Sequence, residues 1–191
     1  MYILTNTFYV FPLPLSSPEQ FVELDMGCGK GGFTLALAQR YPERLVLASD
    51  VMMGRLKLLE KKKLRRKIGN LELLRASNLA LASFQLPPQS IDRIHLLCPD
   101  PWPKRHHQVK RLVCTDFITR LTRILKPAGV VHLATDNAPY FANWLEILAH
   151  FPCFQVETSA IADIADLKTD FERQWTAQGI PVRHLAYRLQ S

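Results

Sequence analysis

The chain has 191 residues, 48% hydrophobic and 21% charged, with a formal net charge of +7. These are globular proportions with enough chain for one ordinary domain, so no second core is needed, and the basic surplus favours a polyanionic partner such as nucleic acid. Cys28, Cys98, Cys114 and Cys153 form no Cys-x-x-Cys pair, and the uncharged first 18 residues carry Thr5, Asn6, Thr7 and three prolines without a basic leader. A disulfide framework, a zinc site, a signal peptide and a membrane span are therefore not expected. Residues 1–20 read as an extended arm and residues 21–191 as a single domain.

The first strand is predicted over 21–26, then a glycine-rich turn and a helix over about 33–41 that Pro42 stops. The second strand covers 45–48 and ends at Ser49-Asp50. A basic helix follows to about Lys67, with Gly69-Asn70 as its stop and a third strand over 71–74. Eight of the thirteen residues from 55 to 67 are Lys or Arg, opposed only by Glu60. Such a run is either a solvated face or an RNA contact. Its apolar stripe of Met52, Leu56 and Leu59 drifts by Leu64 and Ile68, which predicts an irregular helix there.

A loop at 87–90 precedes a fourth strand over 91–98, and 99–111 is read as a loop. The apolar spacing of Val113, Phe117, Leu121 and Ile124 predicts a helix over 113–125. Lys126-Pro127-Ala128-Gly129 reads as a turn, 130–134 as a fifth strand, and Asp136 or Asn137 as the cap of a helix with Pro139 in its first turn. Two late strands are expected over 154–158 and 182–188. This alternation predicts a mostly parallel sheet with helices on both faces, whose ligands bind beyond the carboxyl ends of the strands.

The chemistry-bearing residues fall at those ends. Gly27, Gly29 and Gly32 match a dinucleotide fingerprint, a weak signal alone. Asp25, two residues before the first glycine, alters the balance: a carboxylate there would repel a pyrophosphate, and Asp25-x-Gly27-x-Gly29-x-Gly31 resembles the first motif of Rossmann-like methyltransferases, which implies a carboxylate near the ammonium of S-adenosylmethionine. Asp50 can accept from ribose hydroxyls of either cofactor. An NAD-dependent oxidoreductase and a purely structural strand–helix turn remain open on these residues.

After the fourth strand comes Pro99-Asp100-Pro101-Trp102-Pro103-Lys104, with Arg105, His106, His107, Lys110 and Arg111 close behind. Asp100 offers two acceptors to the N–H edge of a purine, Trp102 a face for stacking, and the cations a phosphate footprint. The alternative is a solvated basic loop with Trp102 in the core. His106-His107 lacks a spaced third ligand and is not read as a metal site.

With these motifs the chain resembles the bacterial tRNA (guanine-N7-)-methyltransferase family from about Phe21 onward. The resemblance rests on residues 99–111, Lys126-Pro127-x-Gly129, Ala134-Thr135-Asp136 with Tyr140, and Thr169-Asp170-Phe171-Glu172-Arg173 with Gly179. It implies a Rossmann-like class I methyltransferase fold of three layers: a mostly parallel, doubly wound α/β sheet with an antiparallel C-terminal strand. It implies S-adenosylmethionine as cofactor, contacted by Asp25, Gly27, Gly29, Asp50, Ser77 or Asn78, and Asp100. Asp100 corresponds to the catalytic aspartate, and Lys104, Arg105, His106, Asp136, Thr169, Asp170, Phe171 and Glu172 to substrate-binding positions. The implied substrate is a guanine in the tRNA variable loop, and the implied setting cytoplasmic, with no membrane or metal partner.

Departures from the family pattern are Ser77-Asn78 where an aspartate is usual, Asp25 and Asp50 where glutamate is commoner, Ala128 for a common glycine, and a short arm. Guanine N7 has an in-plane lone pair and no proton, so no general base is expected. Alignment and stabilisation of positive charge on the purine remain the catalyst's tasks. Competing readings are methylation of another RNA base or a small molecule, and an RNA-binding protein without catalysis.

Overall fold

The computed structural model of the chain describes residues 1–4 and 9–190, with Arg105 described by its backbone only. Thr5, Asn6 and Thr7 of the arm lie outside the described residues. Eight strands form one sheet: β1 (Tyr2–Ile3), β2 (Val22–Met26), β3 (Leu45–Asp50), β4 (Leu71–Arg75), β5 (Ile91–Leu97), β6 (Leu125–Thr135), β7 (Phe154–Val156) and β8 (Arg183–Leu189). Their order is β1-β4-β3-β2-β5-β6-β8-β7. Pairing is parallel from β1 to β6, whereas β8 is antiparallel to both its neighbours. Only β8 therefore runs against the rest, as expected of the C-terminal strand.

Among the described residues six α-helices flank the sheet: α1 (Gly32–Arg40), α2 (Met53–Arg65), α3 (Asn78–Ala80), α4 (Thr115–Ile124), α5 (Ala138–Ala149) and α6 (Asp170–Ala177). α1 and α2 cover one face, where Phe33, Leu37, Leu56 and Leu59 pack with Val46, Leu73 and Ile161. α4 and α5 cover the other, where Phe117, Leu121, Tyr140 and Trp144 pack with Leu24, Leu96 and Leu133. The apolar face read from Val113, Phe117, Leu121 and Ile124 is buried.

Several expectations change in detail. The arm is not merely a lead-in: β1 adds an edge strand beside β4, and Phe11 is buried with its ring edge-on to Tyr2 at 4.8 Å. The predicted turn 126–129 lies inside β6, because the ladder with β5 shifts register between Ile91 and Arg93 and absorbs the extra residues as a bulge. Ala128 takes a left-handed φ of 61° in it. Residues 99–111 are not all loop, since Arg105–Lys110 forms a 3-10 helix. A π-helical turn, Leu81–Gln85, continues α3 where no element was predicted. The late strand stops at Val156, and Thr158–Ile164 is a 3-10 helix. The drift of the apolar stripe marks a helix end: α2 stops at Arg65, Lys67 turns with φ 54°, and Ile68 re-enters the core while Leu64 stays exposed.

Candidate active site

β2 is central and wholly buried, so its polar residues Glu23 and Asp25 are buried too, on the face covered by α1. The chain then turns through Gly27, Gly29 and Gly31, all at positive φ. Gly31 caps α1 at φ 76°, and a methyl there would sit inside the buried Leu59 side chain. Gly31→Ala should therefore destabilise the fold by about 3 kcal/mol, combining left-handed strain with overpacking. Gly54→Ala, with nothing within 4 Å, should instead stabilise it by roughly 0.5 kcal/mol. Urea denaturation of both variants checks the contrast.

Asp50, at the end of β3, is buried and accepts from the Gly29 amide at 3.1 Å, the Met52 amide at 2.8 Å and Arg55 Nη1 at 3.4 Å. It thus braces the turn. Asp25 accepts from the Thr34 hydroxyl at 2.5 Å, a neutral partner, and no ion pair to it occurs among the described residues. Burial pushes its carboxyl up to about 6, with Thr34 and His95 pulling the other way.

The turn opens on a cleft lined by Asp25, Gly27, Gly29, Phe33, Arg55, Leu97, Thr169, Asp170, Phe171 and Gln174. Two segments that sequence reading assigned to different ligands thus meet here. Thr169 caps α6 by accepting from the Glu172 amide at 2.9 Å, and Asp170 accepts from the Gly32 amide at 3.1 Å, which ties α6 to the start of α1. Asp170 therefore sits on the glycine turn, while Phe171 is exposed beside it. Phe33, Leu97 and Gln174 carry no motif and were missed. Thr34 was missed too, although a hydroxyl in the first turn after such a loop is a usable signal.

Of the uncertain pair, Ser77 spends its hydroxyl accepting from the Ala80 amide at 3.1 Å as the cap of α3. Asn78 turns toward the site: its amide lies 3.9 Å from where a Gly27 Cβ would be and faces Ser49 Oγ at 3.5 Å.

Asp100 leaves β5, the neighbour of β2, three residues after Leu97, and is exposed. Left-handed residues flank it at Cys98 (φ 51°) and Trp102 (φ 43°). Trp102 is half-buried, edge-on to His107 at 5.6 Å, with Lys110 Nζ 5.0 Å from its ring centre. Lys104, His106 and Lys110 are exposed; the side chain of Arg105 lies outside the described residues. Arg111 belongs to the scaffold, donating to the Pro101 carbonyl at 2.8 Å and lying over Tyr140 at 4.8 Å. Asp136 and Glu172 both bear on Cys98, whose thiol is pushed up to about 12 mainly by burial and then by these two carboxylates. Glu172 is buried, facing β8 rather than the glycine turn, and accepts from His184 Nε2 at 3.1 Å. Among the described residues no group of three or more His, Cys, Asp or Glu is arranged to hold a metal.

Along 55–67, Lys62 donates to the Lys30 carbonyl, Arg66 donates to Gln39, Lys63 pairs with Glu72 and Arg55 with Asp50, while Lys57, Lys61, Arg65 and Lys67 are exposed. Half of the basic run thus serves the fold.

This strand order, with its single reversed strand and a glycine turn opening beneath the parallel strand ends, is the Rossmann-like class I methyltransferase fold. The 16S rRNA methyltransferase KamB has it, with a TM-score of 0.65 and 20% identity over 90% of this chain and 89% of that one. An S-adenosylmethionine-dependent O-methyltransferase from Thermotoga maritima matches with a TM-score of 0.60 and 15% identity over 91% and 60%. Residues 19–185 match the model of the family described as "Putative methyltransferase", and the chain belongs to that family of S-adenosylmethionine-dependent methyltransferases. A tRNA (guanine-N(7)-)-methyltransferase of Neisseria meningitidis serogroup A is 34% identical over 86% of this chain and 70% of its own. One of Lactiplantibacillus plantarum is 30% identical over 84% and 77%.

Proposed function

We propose that this protein transfers the methyl group of S-adenosylmethionine to N7 of a guanine in the variable loop of tRNA, in the cytoplasm. Residues 21–191 act as one catalytic domain and residues 1–20 as its arm. The observation that carries the reading is the convergence of the glycine turn and the Thr169–Phe171 segment on one cleft, beside the strand that delivers the Asp-Pro-Trp loop. The relatives named above add the substrate.

The cleft fits the methyl donor. A buried carboxylate with only a neutral partner, Asp25, would receive its ammonium, and Asp50, already holding the turn, would border its ribose. Asn78, not Ser77, would meet its adenine. When bound, S-adenosylmethionine supplies an electrophilic methyl group. Asp100 would accept from the guanine N1–H and amino group, orienting the base and stabilising its positive charge, and would reject adenine, which lacks the N1–H and the 2-amino group. Lys104, Arg105, His106 and Asp136 would hold the RNA, with Thr169, Asp170, Phe171 and Glu172 closing the site from α6.

The test incubates the protein with labelled S-adenosylmethionine and unmodified tRNA or rRNA, then maps the modified nucleoside. N7-methylguanosine in tRNA, with affinity falling steeply as salt rises, is the expected result. Methylation of another base, or of rRNA alone, overturns it.

Asp25 also makes cofactor affinity pH-dependent. Its raised folded pKa, about 6 against an ordinary 3.8, means that its contribution to stability is full below about pH 4 and is lost as pH rises through 6. A bound ammonium favours the ionised form, so affinity moves the other way. The cofactor Kd should fall about tenfold between pH 5 and 7 and then level off, as linkage to one group requires. Calorimetric titration of the wild type and of Asp25→Asn, which should lose the slope, checks this.

A further inference from the structure

The face of the sheet beneath α1 carries a polar seam that methyl transfer, as described above, does not use. Glu23, His95, His132 and His184 sit on β2, β5, β6 and β8, on the same face of four adjacent strands. Their contacts form an unbroken row. His95 Nε2 meets Glu23 Oε2 at 2.9 Å, His95 Nδ1 meets His132 Nδ1 at 3.0 Å, His132 Nε2 meets His184 Nδ1 at 2.9 Å, and His184 Nε2 meets Glu172 Oε1 at 3.1 Å. Both carboxylates and the two inner rings are buried, while His184 borders an open pocket that Glu172 and Lys168 also line.

Each of these contacts needs one proton. With Glu23 and Glu172 ionised, the outer nitrogens of His95 and His184 must both donate, and each ring-to-ring contact needs one more. The three rings then carry four N–H protons, one more than three neutral imidazoles hold, so the row contains a single imidazolium. Three arrangements satisfy every contact, and burial disfavours the one with the charge on His132, leaving two. With the charge on His95, neutral His132 is protonated at Nε2; with the charge on His184, it is protonated at Nδ1. Two short proton hops interconvert them, and no proton leaves the row.

We propose that Glu172, His184, His132, His95 and Glu23 form a proton relay holding one shared proton, which moves positive charge toward or away from the substrate-side carboxylate Glu172. The three histidines are positioning residues acting through Glu172. The surroundings suit a mobile charge rather than a fixed one. Arg93 and Arg44, both also paired with Asp163, face Glu23, and Asp25 and the Phe33 ring face His95. Cys98, Asp136 and Lys168 lie around Glu172. Burial and the two neighbouring rings hold His132 well below the usual histidine range, which keeps the middle member neutral, as both arrangements require.

The link to catalysis rests on the guanine reading. Methyl transfer to N7 would place a positive charge on the purine and release no proton. Positive charge building on the substrate side drives the shared proton to the Glu23 end, leaving the Glu172 carboxylate without an adjoining imidazolium.

Long-range 1H–15N spectra of the histidine rings in the full-length wild-type protein test the relay without any variant. Four N–H protons on His95, His132 and His184 at pH 7.5, falling to three in Glu172→Leu, which removes the acceptor at that end of the row, are expected. Three in the wild type, or an unchanged four in Glu172→Leu, overturns the relay. His132→Gln should lower kcat for tRNA about tenfold with KM unchanged, and unchanged kcat overturns the catalytic link. If the wild type fails to methylate guanine N7, the functional reading falls while the proton count still decides the relay.

Discussion

Asp100→Ala is expected to lower kcat for methyl transfer to tRNA by about a hundredfold or more, equivalent to roughly 2.7 kcal/mol of transition-state stabilisation. The same change should leave stability within about 0.5 kcal/mol, because the residue is exposed and, among the described residues, no hydrogen bond or ion pair holds its carboxylate. A side chain that does nothing for the fold sits between two left-handed residues, Cys98 and Trp102. Such backbone strain is held by its surroundings, here Arg111 bridging Pro101 and Tyr140, and it fixes the direction in which the carboxylate leaves the sheet. Asp100→Asn keeps one acceptor but loses the charge and adds donors that oppose the guanine N1–H, so it should fall between wild type and alanine. Single-turnover transfer to unmodified tRNA, beside a cofactor titration that stays within a few-fold of wild type, makes the measurement. Turnover by Asp100→Ala close to wild type removes Asp100 from the chemistry.

The outline of this site was legible because its parts are local. Asp25 with the glycines, Asp50 at a strand end, and the Asp-Pro-Trp run each announce themselves within ten residues, and alternating apolar runs placed them at one end of a parallel sheet. What was not legible depends on pairing across distance. Lys126-Pro127-Ala128-Gly129 has turn chemistry, yet β6 absorbs it as a bulge, because Val130–Ala134 must keep its register with Arg93–Leu97. Asp170 reads as a substrate residue, yet it accepts from Gly32 because α6 folds back onto α1. The basic run at 55–67 reads as one patch, yet Lys62 and Lys63 are drawn into the fold by Lys30 and Glu72. His95, His132 and His184 are lone histidines in apolar strands, and only the sheet's strand order brings them into a row. Sequence spacing carries no trace of that, since each contact joins residues tens of positions apart.

The largest loss of stability is expected from Arg93→Ala, at about 3–5 kcal/mol, the cost of leaving a buried charge without its main partner. Glu23 is fully buried and Arg93 is 4% exposed. Arg93 donates to both Glu23 oxygens, Nε to Oε2 at 2.9 Å and Nη2 to Oε1 at 2.7 Å, and also to Asp163 at 2.7 Å. Burial alone would raise the Glu23 pKa, but the bonds from His95 and Arg93 outweigh it and hold the carboxyl well below the usual range. A lowered folded pKa contributes stability above the unfolded value, near 4.5, that is lost as pH falls through the folded one. Arg93→Ala should therefore also move the midpoint of acid unfolding to higher pH, with Arg44, at 2.6 Å from Glu23, limiting the damage. Urea denaturation at pH 7 and 5 reads both effects. A second variant separates the value of the pair from the cost of a stranded charge. Glu23→Leu with Arg93→Met removes both ions and should recover at least half of the loss, because an apolar pair in a buried strand face carries no desolvation penalty. If the double variant is as unstable as Arg93→Ala, the bidentate geometry itself, rather than the unpaired carboxylate, sustains the centre of the sheet.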